Sequence, residues 1–442
     1  MNAPSAAHLP LNIFQRCMRI WEESHPYNAA QIMHVAGDTH PELVQAAWNA
    51  AVAAAGLGEA KVSRGKYSFE PAAPQMLTVI ESQGDAALEQ LITTELNRPF
   101  GRSGRGDDLT MPFRPFLVRR PASESLPASQ YLGVIYQHWV ADSVAIRLVM
   151  REWFCRLFDP AAVSTGPLEH AAGGFWRYFG PAQTGWHLGE GLAGLLEGLA
   201  EFSSARRLTC DPGLQRVECS VHRLPDGTVE RLLHAARARQ MTLNDIFLAA
   251  LATACDEHGA DPRHATRDLA LGTIVDLRAT SRESMQNIFG MFLGFTALVL
   301  RADHLRNRER LLAAVAARNA QLKERKAAQA SMLRMAAGYM QGKFLSAERL
   351  GAFYREYMPL AGGVSNVNMN RSWAAKYYPA PLLGYIRVAP TGPMVPVVIA
   401  VTTMGDRLTF FLTRRASLLD AARGRDFAAA FLGELTAHAK TA

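Results

Sequence analysis

Apolar residues in this chain fall into short runs of two periods, which alternate along its length. Near the start, 30–36 (AQIMHVA) reads as a strand. It is followed over 41–55 by an alanine-rich helix that places Leu43, Ala47 and Ala51 on one face. A strand at 77–81 and a helix at 86–97 repeat the alternation. The run 100–108 (FGRSGRGDD) has neither period and reads as a glycine-rich loop. Two apolar strands, 111–118 and 131–136, come next across a Pro/Ser-rich link, and a helix runs from about 142 to 158, stopping before Pro160. The first eight residues carry no pattern and read as disordered.

From 159 to 189 the chain is rich in Gly, Pro, Ala and aromatics, with no clear element, and reads as a crossover between two lobes. Residues 191–207 have helical spacing interrupted by glycines, as in a linker helix lying on the second lobe. The alternation then resumes. A strand is expected at 217–224, then helices at 226–240 and 243–257, the second capped by Thr242 or Asn244. Strands at 269–277 and 294–300 precede a long helical region over 303–358. Strands at 364–369, 383–388, 395–402 and 407–413 and a helix over 418–440 complete the chain. The pattern predicts an α/β (α+β sandwich) architecture of two similar lobes, 1–165 and 211–442, joined by a crossover at 166–210. No short-period repeat is visible.

Composition narrows the function classes. A chain of 442 residues, 49% hydrophobic and 20% charged, is an ordinary globular sequence with room for two or three domains of about 100–200 residues. Lys and Arg number 47 against 40 Asp and Glu, a net charge of +7 that is too small to argue for nucleic acid. The five cysteines (Cys17, Cys155, Cys210, Cys219 and Cys255) form no C-x-x-C and no zinc-type cluster, so no metal is assigned and free thiols are expected. The N-terminus lacks the basic and apolar regions of a secretory signal, and no 18-residue apolar run exists. A cytoplasmic protein without a transmembrane segment is expected. Residues 101–106 contain glycines but no lysine and no following helix, so they do not form a phosphate-binding loop. His34, His187, His222 and His234 show no ligand spacing.

The chemistry concentrates in Tyr136-Gln137-His138-Trp139-Val140-Ala141-Asp142-Ser143, where the strand LGVIY gives way to a helix. A strand end fixes a backbone rigidly while opening onto loops, and a neutral imidazole there can accept a proton from a hydroxyl, amine or thiol. Asp142 falls where a carboxylate caps the helix and meets its positive end. Taken alone, His-x-x-x-Asp is a weak pattern, and a lone histidine ending a buried strand is more often structural.

The run QHWVADS resembles the His-His-x-x-x-Asp-Gly signature of the chloramphenicol-acetyltransferase-like superfamily, which includes condensation domains, wax ester synthase-like enzymes and polyketide-associated acyltransferases. Further stretches resemble that superfamily in order. LNIFQRCMRIWEESHPYNAAQIMHVAG looks like its N-terminal strand, and MTLNDIFLAALATACDEHG is similar to its T-x-N-D helix. GTIVDLRATSRESMQNIFGMFLG resembles a strand followed by V-x-x-R and N-x-x-G, GGVSNVNMN a strand beside the acyl channel, and GPMVPVVIAVTTMGDRLTFFLT the closing strand pair. Gln137 and Ser143 stand where the signature has histidine and glycine, and no D-F-G-W-G of the plant-type branch is present.

The resemblance implies a V-shaped pseudodimer of two lobes with an interface tunnel that admits a phosphopantetheine thioester and an acceptor alcohol or amine. The donor is acyl-CoA or an acyl carrier protein acting in trans. His138 is the implied general base. Asp142 is expected to pair with an arginine rather than with the histidine, with Arg278 the first choice and Arg19 the second. Ser365 and Asn366 are the candidates for the oxyanion and channel positions. The basic stretch 301–326 suits either an acidic carrier protein or a solvated helix face. O-acyl transfer is favoured over amide-forming condensation, and a non-catalytic docking module is the competing class.

Overall fold

The computed structural model describes residues 8–440, apart from 83, 102–105, 125, 165, 167, 172–188, 190–192, 194–196, 199, 207–214, 260–264, 281–284 and 393–394. Most of the expected 166–210 crossover, the first seven residues, Cys210 and His187 therefore lie outside the described residues. The chain is a mixed α/β protein that divides into two compact units, each assembled from separated stretches. The first comprises Met1–Pro181, Arg278–Phe292 and Met369–Arg387, and the second Ala182–Leu277, Leu293–Asn368 and Val388–Ala442. No helix among the described residues is long and apolar enough to cross a membrane.

The first unit is built on a five-stranded sheet in the order Leu382–Val388, Asn28–Ala36, Ser129–Gln137, Phe113–Arg120, Thr78–Glu81. All nine residues of the central Ser129–Gln137 strand are buried, the pattern of a strand covered on both faces. It runs antiparallel to both neighbours, with Tyr136 opposite Ala29 on one side and Phe113 on the other. The Pro41–Ala54 and Ser143–Phe158 helices pack together through Trp48 and Trp153, whose rings meet edge-on at 4.9 Å. The Trp153 indole N–H donates to the Val44 carbonyl at 3.1 Å.

The opening of the chain corrects the expectation. Residues that resembled only a strand form a helix, Ile13–Trp21, ahead of the Asn28–Ala36 strand. Asn12 and Gln15 close a reciprocal capping box, each side chain accepting from the other's backbone N–H at 3.0 and 2.9 Å. A small sheet, Leu9–Pro10, Lys66–Glu70, Glu59–Ser63, Asp108–Thr110, also went unpredicted. Its hairpin turns through Arg64 and Gly65, both at positive φ, and the Arg16 guanidinium lies so close to Gly65 that a Cβ would sit 2.9 Å from it.

The second unit is a six-stranded sheet in the order Val217–Arg223, Arg407–Arg415, Val397–Met404, Leu360–Asn368, Leu269–Asp276, Leu293–Leu300. The Leu243–Ala254 helix, apolar from Ile246 to Ala252, forms its centre, packed by Arg308–Glu324 and Ala421–Lys440. Thr242 is the cap, its N–H donating to Asp245 Oδ2 at 2.8 Å. The expected 303–358 helical region is four helices, broken by caps at Asn307 and Ser346 and by Lys326 at φ +48°. The 360–368 strand starts four residues before its expected position because Gly362 and Gly363 supply no side-chain period.

Candidate active site

The central strand of the first unit ends at Gln137, whose N–H donates to the Pro112 carbonyl at 3.0 Å. A five-residue turn, 138–142, follows, and the helix begins at Ser143. His138 opens that turn, anchored by its own N–H to the Tyr27 carbonyl at 3.1 Å. Its Nδ1 lies 3.2 Å from the Ala141 carbonyl oxygen. A carbonyl only accepts, so this bond places the ring proton on Nδ1 and leaves the basic lone pair on Nε2. The ring stacks on Tyr27 (centroids 5.8 Å apart, planes 14° apart) and meets the edge of Tyr136 at 5.7 Å. The residue is half-buried. Burial pushes its pKa down to about 4, against smaller opposing effects of the Ala141 carbonyl and the Asp142 charge, so the imidazole is neutral at physiological pH.

Asp142 makes no hydrogen bond to His138. Its Oδ1 accepts from the N–H groups of Val144 and Ala145, both at 3.0 Å, capping the helix. Its Oδ2 accepts from Arg278 Nη1 at 2.6 Å and from the Phe292 N–H at 2.8 Å. Both side chains of the pair are fully buried. Arg278 Nη2 reaches the Ile288 and Gly290 carbonyls at 3.3 and 3.4 Å, and the guanidinium lies 4.6 Å from the Phe292 ring centre. The structure thus brings His138, Asp142 and Arg278 together in one unit, although 136 residues separate the ion pair along the chain. Arg19, the second choice for this partner, is engaged elsewhere, with Nη1 3.9 Å from Asp108 and Nη2 2.9 Å from the Gly106 carbonyl. Ser365 and Asn366 lie in the second unit, half-buried and exposed respectively, just past Val364, where the strand's parallel pairing with Leu269–Asp276 ends.

Sequence reasoning missed the helix that supports the histidine turn. Gln15, Arg19 and Glu22 fall four and three residues apart, one stripe of the Ile13–Trp21 helix and its C-cap, and all three are buried. Gln15 Nε2 donates to the Trp139 carbonyl at 3.1 Å, Arg19 sits 5.1 Å from the Trp139 ring centre, and Glu22 Oε2 accepts from Gln137 Nε2 at 3.0 Å. Residues 137 and 139, flanking His138, are therefore both held by this helix. The Asn-x-x-Gln capping box was the available signal. Behind Asp142, Ser143 Oγ accepts from Arg387 Nε at 3.0 Å and Gln31 Nε2 at 3.2 Å, and Tyr385 donates to Gln31 Oε1. Arg387 is buried, which pushes its pKa down to about 10. The two departures from the signature, Gln137 and Ser143, thus both carry side-chain hydrogen bonds, and a glycine at 143 would have no hydroxyl to accept them.

No family model and no curated protein matches this chain. Solved structures do. The trichothecene 15-O-acetyltransferase TRI3 from Fusarium sporotrichioides superposes with a TM-score of 0.70 at 13% identity, over 97% of this chain and 95% of that one. The first condensation domain of the CDA synthetase gives 0.64 at 15% identity, over 99% and 97%. The nonribosomal peptide synthetase FmoA3, in an α-methyl-L-serine-AMP-bound form, gives 0.67 at 16% identity over 100% of this chain, which spans 46% of that one. At these identities the likeness establishes the fold, that of condensation domains and chloramphenicol-acetyltransferase-like acyltransferases.

Proposed function

We propose that this chain, on the fold of condensation domains and related acyltransferases, moves an acyl group from a phosphopantetheine thioester to an acceptor hydroxyl, with His138 as general base. The observation that carries the reading is the state of the imidazole. Nδ1 is committed to Ala141, Nε2 holds the lone pair, and the ring is neutral on a turn gripped from both sides. In the reaction, Nε2 takes the acceptor proton as the oxygen attacks the thioester carbonyl. The tetrahedral oxyanion then collapses, the carbon–sulfur bond breaks, and the departing thiolate recovers the proton from the imidazolium. Proton transfer of this kind contributes roughly 10²–10⁴-fold in rate. On the resemblance of their strand alone, we assign oxyanion stabilisation to Ser365 and Asn366.

Two solved structures support the substrate class. TRI3 is named for O-acetyl transfer, and the starter condensation domain of rhizomide synthetase was solved with C8-CoA and Leu-SNAC, at a TM-score of 0.63 and 16% identity over 98% of this chain and 94% of that one. The donor is acyl-CoA or an acyl carrier protein. The basic 301–326 stretch gives carrier docking little support, because Arg308, Arg318 and Arg325 already pair with Glu434, Glu201 and Glu197. The test is release of free thiol from acyl-CoA and from an acyl carrier protein, with alcohol and amine acceptors, by wild type and His138→Ala. Loss of turnover in a variant that melts like wild type is the expected result. Retained turnover would remove the histidine from the mechanism.

A further inference from the structure

Within the second unit a cleft of about 570 Å³ opens between the Ala327–Gly342 and Ala347–Tyr357 helices and the Gly198–Phe202 stretch. That size falls in the range of small-molecule sites, about 300–1,000 Å³. Its walls are apolar and aromatic: Phe202, Met335, Leu345, Phe353, Tyr354 and Met358. Phe353 packs its ring 5.4 Å from Tyr354 and 5.0 Å from Tyr357, which makes one wall aromatic. A concave, mostly apolar lining with a few polar groups suits the apolar body of a small ligand.

One cation breaks the apolar lining. Arg334 faces the cleft, and its Nε is buried without a hydrogen-bond partner among the described residues. The local charges explain why. Arg325 binds Glu197 at 2.7 Å and Arg318 binds Glu201, so each carboxylate near Arg334 already has its own guanidinium. Among the described residues, three arginines here face two glutamates, and the excess charge rests on Arg334. A Cβ built on Gly198 would come within 3.3 Å of Arg334 Nη1, so the absence of a side chain there leaves that end of the guanidinium room. The edge of a guanidinium matches a carboxylate, which takes two parallel N–H bonds and carries the single negative charge this site lacks.

We propose that this cleft binds an alkyl carboxylate of medium chain length, with the carboxylate on Arg334 and the chain between Met335, Leu345 and the aromatic wall. All of these residues belong to the second unit, and none has a part in the chemistry assigned to His138. The site therefore stands or falls independently of the acyl-transfer reading.

The experiment is calorimetric titration of the full chain with decanoate, decan-1-ol and decylamine. Wild type binds decanoate saturably and decylamine at least about tenfold more weakly, since a charge-assisted hydrogen bond contributes about 1.5–3 kcal/mol, or about tenfold or more. Arg334→Gln loses about tenfold in decanoate affinity and keeps its affinity for decan-1-ol. Gly338→Phe fills the cleft and abolishes binding of both; the first carbon of that side chain fits, since a Cβ there lies 3.6 Å from the Tyr354 hydroxyl. Melting curves establish that each variant is folded, and if Gly338→Phe is not, Arg334→Gln decides. Equal binding of decanoate and decylamine, unchanged decanoate affinity in Arg334→Gln, or no saturable binding by wild type would each overturn the assignment.

Discussion

Replacing Asp142 by alanine strikes the point where three stretches of the first unit meet. The substitution deletes four acceptor interactions: two to the start of the Ser143–Phe158 helix, one to Arg278 and one to the Phe292 N–H. Losing the helix cap costs about 1 kcal/mol. Stranding a fully buried guanidinium costs about 3–5 kcal/mol more, because the charge loses its partner without regaining water. The sum, about 4–6 kcal/mol, corresponds to a fall in Tm of roughly 8–24 °C for a unit of this size. Asp142→Asn should cost less, since the amide oxygen can still cap the helix while the charge on Arg278 goes unanswered. The sharper test is a cycle with Arg278→Met. Once the guanidinium is gone, Asp142→Ala no longer strands a charge, so the double variant should be more stable than the sum of the two single losses implies. Calorimetric melts of the four proteins measure this. If Asp142→Ala melts within about 1 kcal/mol of wild type, or if the losses add, the pair does not hold the histidine turn in the way argued above.

Because the His138 pKa is pushed down to about 4, kcat/KM should stay level from pH 8 to pH 5 and fall only near pH 4; an acid limb centred near 6.5 would contradict the buried, neutral base. The same shift has a defined sign for stability. Below about pH 6.5 the unfolded chain protonates this histidine and the folded chain does not, so stability falls towards pH 4, and His138→Ala should flatten that part of the acid melt. Gln137→Leu removes a buried hydrogen bond to the Glu22 carboxyl and should cost about 1–3 kcal/mol, with kcat reduced more than KM is raised if its part is to position the turn. Ser365→Ala or Asn366→Ala should lower kcat by roughly 10²-fold if either donates to the oxyanion, and an unchanged kcat in both would withdraw them.

Most elements were legible in the chain because their signals are local. The all-apolar 131–136 run, the cap at Asp142 and the Thr242–Asp245 box are each contained within a few residues, so period and capping chemistry suffice to find them. His138 at the end of a strand was legible for the same reason. The Ile13–Trp21 helix was passed over although its Asn12–Gln15 box was in plain sight, and with it went Gln15 and Glu22, whose polar side chains on a buried helix only make sense against the 137–139 turn. Arg278 was named as the partner of Asp142 on resemblance, but the reason it wins over Arg19 is tertiary. The stretch 278–292 leaves the second unit and packs in the first, so that the Ile288 and Gly290 carbonyls orient the guanidinium while Arg19 faces Asp108. The sequence by itself determined most of the secondary elements and the chemistry available at residue 138, because both depend on near neighbours. The fold of the turn decided which ring nitrogen is basic, by setting Nδ1 against the carbonyl of Ala141 three residues on. Tertiary structure alone decided how far burial lowers the His138 pKa and which distant side chains hold the turn, because those depend on groups tens to hundreds of residues away that no local period encodes.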